Sequence, residues 1–155
     1  MAGQIGGIIR DRLGGRYALS GIDSKSAPGV DSLQSDIADL EAIKPAFEGI
    51  DTVIHLGADP SPRASWESVL HNNLIGTRNV FEASRLAGVE RVVCASSNHV
   101  VGFHPLKDEP YKAIYEGRLD EVRRPFRPLD ANDLRPDSYY GVSKAFGESL
   151  GSYFH

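Results

Sequence analysis

The sequence predicts an α/β fold: one domain built on a doubly wound parallel sheet with helices on both faces. Three observations carry this expectation. Short apolar runs alternate with helical patterns along the whole chain, and parallel strands need such crossovers. Polar and glycine-rich positions gather at the C-terminal ends of those runs, where open parallel sheets bind ligands. Gly3 and Gly6 open the first helical pattern, and Asp23 closes the next apolar run twenty residues after Gly3, the spacing of a dinucleotide fingerprint.

Length and composition bound the reading. A chain of 155 residues can bury a real core in one domain. Apolar residues at 41% and charged residues at 25% are ordinary for a globular protein. A net charge of −4 gives no footing for nucleic acid or an anionic membrane. Cys94 is the only cysteine, so no internal disulfide can form and a reducing, cytoplasmic setting is expected. No signal peptide pattern opens the chain, and no apolar run reaches membrane-spanning length.

Each element has its own signal. Ile5, Ile8, Ile9 and Leu13 recur at helical spacing, and Gly14-Gly15 stop that helix. Its opening glycines allow close backbone approach and present free N–H groups to a pyrophosphate; the alternative is that they are only caps. Tyr17–Ile22 reads as the next strand and Leu33–Ile37 as a short strand with an acidic end. A helix is expected over Asp39–Phe47, a turn at Glu48–Asp51 and a buried strand over Thr52–Leu56. Gly57-Ala58 would then let the backbone pass close to a ligand. After a rigid loop at Asp59–Arg63, one helical stripe joins Trp66, Val69, Leu70, Asn73, Val80, Phe81 and Ala87, with Gly88 as its stop. Arg91–Ser97 is a buried strand ending in hydroxyl, amide and imidazole groups at Ser96, Ser97, Asn98 and His99. Leu106–Pro136 is a long polar segment with a short helix expected within Tyr111–Val122, and so long a loop is usually functional or mobile. Pro136-Asp137-Ser138 starts the last helix, with Val142, Phe146 and Leu150 on its core side.

That last helix carries Tyr140-Gly141-Val142-Ser143-Lys144. Residues four apart share a helix face, so the phenol and the ammonium can reach one site. A nearby cation favours the phenolate, bringing the tyrosine toward the pKa of a general base. Such a pair alone is an ordinary amphipathic spacing; strand-end polar groups beside it point to carbonyl/alcohol redox chemistry. Asn73 on the helical stripe is a buried polar residue that needs partners. His55 at a strand end reads as a satisfied core residue. His71, His104 and His155 form no metal-ligand spacing with one another or with Cys94, so no metal is expected.

Taken in order, Gly3-x-x-Gly6, Asp23, Asp36, His55-Leu56-Gly57-Ala58, Asn72-Asn73, Ser96-Ser97-Asn98-His99 and Tyr140-x-x-x-Lys144 resemble the extended short-chain dehydrogenase/reductases. Within these the chain is similar to the NAD-dependent epimerase/dehydratase branch, and its Ser-Ser-Asn-His run looks most like uronate dehydrogenases and related sugar 1-dehydrogenases. The resemblance implies a Rossmann-type sheet that lacks its first strand, the first glycine and the C-terminal part. Residues 1–155 would then be a partial NAD-binding domain with the substrate domain absent. The strands Tyr17–Ile22 and Thr52–Leu56 would face a gap, and the chain alone would bind NAD weakly and turn over nothing.

The resemblance also assigns roles. Tyr140 would be the general base; Lys144 would lower its pKa and hold the nicotinamide ribose. Ser97, five residues before Gly102, would hydrogen-bond the reacting oxygen, and Asn73 would support the lysine through a water. Gly3, Gln4, Ile5 and Gly6 would cradle the pyrophosphate. Asp23 would accept both ribose hydroxyls and repel a 2′-phosphate, favouring NAD over NADP. Asp36 and Ile37 would flank adenine, while Leu56, Gly57, Ala58 and Ser96 would line the cofactor path. Ser61, Ser97, Asn98, His99 and Tyr140 would meet a sugar. Apart from the resemblance, an anionic sugar needs cationic recognition, which Arg123, Arg124 and Arg127 of the long segment could supply; the alternative is that they form a solvated basic face.

The implied activity is NAD-dependent oxidation of a sugar, uronate or sugar phosphate at C1 to a lactone, with a small-molecule substrate and homo-oligomer formation left open. One rival is a sugar-nucleotide epimerase or dehydratase, which shares every cofactor residue; the Asn98-His99 pair argues against it. The other is a non-catalytic dinucleotide-binding protein, against which stands the joint presence of Ser97, Tyr140 and Lys144.

Overall fold

The computed structural model describes residues 2–123 and 125–155. Its strands are β1 (Ser20–Asp23), β2 (Asp31–Gln34), β3 (Thr52–His55) and β4 (Arg91–Cys94). β1 pairs in parallel with β2, placing Asp23 beside Gln34, and β3 pairs in parallel with β4, placing His55 beside Cys94. Among the described residues these are two separate ladders, so β1 and β3 each keep one edge without a strand neighbour. This is the arrangement expected of a sheet whose central strand is missing between them.

All four strands are shorter than the sequence reading, β3 ending at His55 rather than Leu56 and β4 at Cys94 rather than Ser97, and for β1 and β2 the cause is local. Arg16 and Tyr17 donate their N–H groups to Leu13 O, closing α1 (Gln4–Leu13), so Tyr17 lies in a turn and β1 begins at Ser20. Asp36 folds into its own turn, accepting from Ala38 N–H on its side chain and from Asp39 N–H on its carbonyl, so β2 ends before it. Asp39 caps α2 (Leu40–Ile43) by accepting from Ala42 N–H, and a 3-10 turn over Lys44–Phe47 comes next.

The long helix is not uniform. α3 (Trp66–Ser68) passes into a π-helical stretch, Val69–Ile75, before α4 (Gly76–Ala87). A π turn closes over five residues rather than four and shifts the phase of the helix beyond it. A single 3.6-residue stripe therefore cannot hold: Trp66, Leu70 and Ala87 are exposed, while Val69, Asn73, Val80 and Phe81 are buried. Gly88 stops α4 in the left-handed region at φ 72°, which glycine alone adopts without strain.

The core is formed by Ile43, Phe47, Val80 and Ala83, packed against Ile22, Ile37, Leu40, Val53 and Val89. It sits between one face of the sheet and the helices α2 and α4. Among the described residues Ile54 and Val93, which alternate to the other face, are 39% and 48% exposed. Ile5 and Ile8 are likewise exposed, and only Gly6 of α1 is buried. The surface of 9981 Å² exceeds the roughly 7,700 Å² expected for a compact monomer of this mass. No helix among the described residues is long and apolar enough to cross a membrane.

The last helix, α7 (Tyr139–Phe154), is capped by Ser138, whose Oγ accepts from Gly141 N–H. Its buried residues are Gly141, Ser143, Lys144 and Gly147; Val142, expected on the core side, is exposed. Small residues are what allow this helix to approach β4 and α4 closely.

Candidate active site

Lys144 is buried, and its Nζ donates to the carbonyl of Ala95, just beyond β4, at 2.9 Å. That bond helps tie α7 to the C-terminal end of the sheet. The ammonium stands 5.6 Å from the centre of the Tyr140 ring, so the sequence-predicted pair does share one face. Burial pushes the Lys144 pKa below the usual lysine range, with Cys94 opposing the shift. Burial likewise pushes the Cys94 thiol up.

The turn after β4 delivers the remaining polar groups. Ser97 caps a 3-10 turn over Asn98–Val101, its Oγ accepting from His99 N–H at 3.2 Å. Ser96 turns instead to Glu148 of α7, whose carboxylate accepts its hydroxyl. The His99 imidazole meets the Tyr140 ring edge-on, centroids 5.6 Å apart. This contact requires Gly141: a Cβ there would overlap the His99 carbonyl oxygen. Asp137 completes the group, its carboxylate accepting from His99 Nδ1 at 2.9 Å. Sequence reasoning gave Asp137 only a helix start; its signal was an acid three residues before Tyr140.

Asn73 is fully buried and its hydrogen bonds are all accounted for. Its Oδ1 accepts from Asp59 N–H at 2.7 Å, and its Nδ2 donates to Asp59 O and to Ser143 Oγ, each at 3.0 Å. Ser143 Oγ in turn donates to the Tyr140 carbonyl at 2.7 Å. Asn73 therefore holds the backbone under Tyr140 and latches the loop after β3, rather than reaching Lys144 directly. Asp59 accepts from Ser61 N–H and from Ser68 Oγ, which fixes the loop carrying Ser61.

The predicted cofactor residues lie along the strand ends. α1 begins at Gly3 with no side-chain cap and no acid in its first turn, and space for a Cβ at Gly3 is open. The N–H groups of Gln4, Ile5 and Gly6 thus suit an anion. Asp23, at the end of β1, accepts from Ala2 N–H at 2.9 Å and from Lys25 N–H at 3.2 Å, linking that loop to the sheet. Asp36 accepts from Ala38 N–H and pairs with His71 at 2.7 Å, and these partners in that order lower its pKa. Ile37 fills the space beside Gly57 and Gly76; a Cβ on either would press on its side chain. Gly57 thus also makes room for the end of the Ile37 side chain. Leu56 and Ala58 are half-buried in the same loop.

His55 is the core residue expected. Its Nε2 lies 2.9 Å from Thr77 Oγ1 in a buried contact, and burial, then the Lys144 charge, depress its pKa to about 4.

The long segment is held by ion pairs around three short helical pieces, α5 (His104–Lys107), α6 (Tyr111–Tyr115) and a 3-10 turn at Leu119–Glu121. Arg118 pairs with Glu109, Glu116 and Glu121, and Arg135 with Asp108. Arg127 is taken up by Asp130 and, through two bonds, by Asp133, as a solvated charged face would have it. Arg123 is exposed, and Arg124 lies outside the described residues.

Comparison with known proteins gives the family. The model of the NAD dependent epimerase/dehydratase family matches residues 1–155. An L-arabinose 1-dehydrogenase (NAD(P)(+)) of Haloferax volcanii is 39% identical over 153 residues, 99% of this chain and 58% of the relative. An NAD-dependent glucose-6-phosphate dehydrogenase of the same organism is 42% identical over 159 residues, 99% of this chain and 56% of the relative. A crystal structure of a tyrosine-to-alanine mutant of uronate dehydrogenase from Agrobacterium tumefaciens in complex with NAD superposes with a TM-score of 0.74 at 34% identity, covering 99% of this chain and 52% of that one. The chain spans about half the length of the curated relatives it matches, and its fold is the Rossmann-type α/β fold of these neighbours.

Proposed function

Because the chain belongs to the NAD dependent epimerase/dehydratase family, we propose that it carries the cofactor-binding and catalytic half of an NAD-dependent oxidoreductase acting on a sugar, uronate or sugar phosphate at C1. The observation that carries the reading is the joining of Tyr140, buried Lys144 and the Ser97–His99 turn at one strand end, through Ala95 O and the His99–Tyr140 ring contact. Names of the relatives support sugar dehydrogenation over epimerisation, and that of the L-arabinose 1-dehydrogenase supports position C1. A reducing, cytoplasmic setting suits the lone Cys94.

NAD would supply the acceptor for the C1 hydride. The uncapped start of α1 suits its pyrophosphate, Asp23 the adenosine ribose, and Asp36 with Ile37 the adenine. Ser97 holds the C1 oxygen by hydrogen bonding. Tyr140 takes the hydroxyl proton as the C1–H bond breaks, leaving a C1 carbonyl and thus a lactone. Lys144, held by Ala95, keeps positive charge beside the phenolate that must exist at that moment.

Tyr140→Phe keeps the ring and removes the oxygen. Assayed by NADH formation in an enzyme containing this chain, with arabinose, glucuronate and glucose 6-phosphate as substrates, it is expected to lose about 10²–10⁴-fold in turnover. NAD affinity should stay near that of the parent. Near-normal turnover of any of these substrates by the Phe variant would sink the assignment.

A further inference from the structure

We propose that Asp137 is a positioning residue that fixes His99 in the tautomer carrying its hydrogen on Nδ1, so that Nε2 is presented to the substrate as a hydrogen-bond acceptor for a hydroxyl group. His99 Nδ1 lies 2.9 Å from both oxygens of the Asp137 carboxylate. A carboxylate only accepts, so a neutral ring must place its hydrogen on that nitrogen and leave Nε2 with a lone pair. Among the described residues Nε2 has no hydrogen-bond partner, and the side chain is 30% exposed beside the Tyr140 ring.

The carboxylate is built into place. Ser138 Oγ donates to Asp137 Oδ1 at 2.9 Å, and the carboxylate lies over Gly102, where any Cβ would overlap Oδ2. The backbones of the two segments are laced together: Arg135 N–H donates to Val100 O at 2.9 Å, Phe103 N–H to Arg135 O at 3.0 Å, and Asp137 N–H to His99 O at 3.4 Å. Asp137 is only 17% exposed and faces the ring rather than solvent. A contact between His99 and a sugar was expected from the sequence; the acid that decides what His99 can bind was not. The chemical consequence is selection: the neutral ring accepts a hydroxyl hydrogen and repels a carboxylate or phosphate oxygen at that position.

Identification of the hydroxyl as a sugar's rests on the reading under Proposed function, so the test has two arms. In the first, ¹⁵N shifts of the His99 ring are recorded for this chain at a pH where the ring is neutral. Wild type should show a protonated Nδ1 and a bare Nε2. Asp137→Ala should move the hydrogen to Nε2, and Asp137→Asn, which keeps the shape, should weaken the preference for Nδ1. A protonated Nε2 in wild type, or shifts unchanged in a folded variant, overturns the proposal. In the second arm, an enzyme containing this chain is assayed with arabinose. Asp137→Ala should raise the KM for arabinose about tenfold, the scale of one lost hydrogen bond, with the KM for NAD unchanged. An equal rise in both constants overturns the substrate role. Absence of sugar oxidation in the parent enzyme would instead refute the functional reading, and the ring shifts would still decide the tautomer.

Discussion

Gly141→Ala should destabilise the protein even though alanine is the better helix former. A Cβ at this position would overlap the His99 carbonyl oxygen and come within 3.0 Å of the His99 carbonyl carbon and 3.1 Å of Pro136 Cβ. None of these is the loose end of a side chain. The His99 carbonyl also accepts from Gly102 N–H and Asp137 N–H, both at 3.4 Å, so moving it away weakens two hydrogen bonds. Overpacking costs about 1–3 kcal/mol and each weakened bond up to about 1, against a gain of about 0.5–1 from helix propensity. The net expectation is a loss of about 2–3 kcal/mol, or roughly 4–12 °C in Tm for a chain of this size. Gly147 and Gly151 provide the control in the same helix, because a Cβ there would make ordinary contacts, 3.7 Å to Cys94 Sγ and 3.6 Å to the Phe81 ring. Their alanine variants should gain up to about 1 kcal/mol. Urea unfolding followed by circular dichroism measures all three. A Gly141→Ala variant as stable as Gly151→Ala would refute the close approach of the His99 turn to α7.

Asp23→Asn should narrow the preference for NAD over NADP in a titration of both cofactors, since repulsion of the 2′-phosphate disappears; an unchanged ratio would count against that role. Lys144→Ala should lower both NAD affinity and turnover, measured by calorimetry and by NADH formation, because it leaves Ala95 O without its donor. Ile43→Ala should cost about 2–5 kcal/mol in urea unfolding, whereas Ile54→Thr on the open sheet face should stay within about 0.5. His55 titrates at about 4 when folded against 6.5 when unfolded, so below the higher value the unfolded chain binds the proton first. Stability is therefore lost as pH falls from 6.5 toward 4, and at pH near 4.5 wild type should have lost about 2–3 kcal/mol more than His55→Gln.

Much of this was legible because it depends on local pattern. The Tyr140–Lys144 pair follows from helical spacing, and the strand expected over Thr52–Leu56, observed over Thr52–His55, from an apolar run between turn residues. Where the reading slipped, a longer-range bond decided the outcome. Tyr17 looked like strand until its N–H was found closing α1 on Leu13 O. The stripe through Trp66 and Leu70 assumed one helical period, and the π stretch at Val69–Ile75 broke it. Arg127 looked available until Asp133, six residues on, took its guanidinium. Asp137 and Gly141 take their meaning from His99, about forty residues away in the chain, which local pattern does not reach.

The central claim is hydride transfer from C1 of a sugar, with Tyr140 as base. An enzyme containing this chain should be given NAD and a C1-deuterated arabinose or glucose 6-phosphate, and the nicotinamide product weighed by mass spectrometry. One deuterium on the reduced nicotinamide and a lactone in equal amount are expected, both abolished in Tyr140→Phe. Deuterium retained at C1 of a sugar that has instead been epimerised or dehydrated would contradict it.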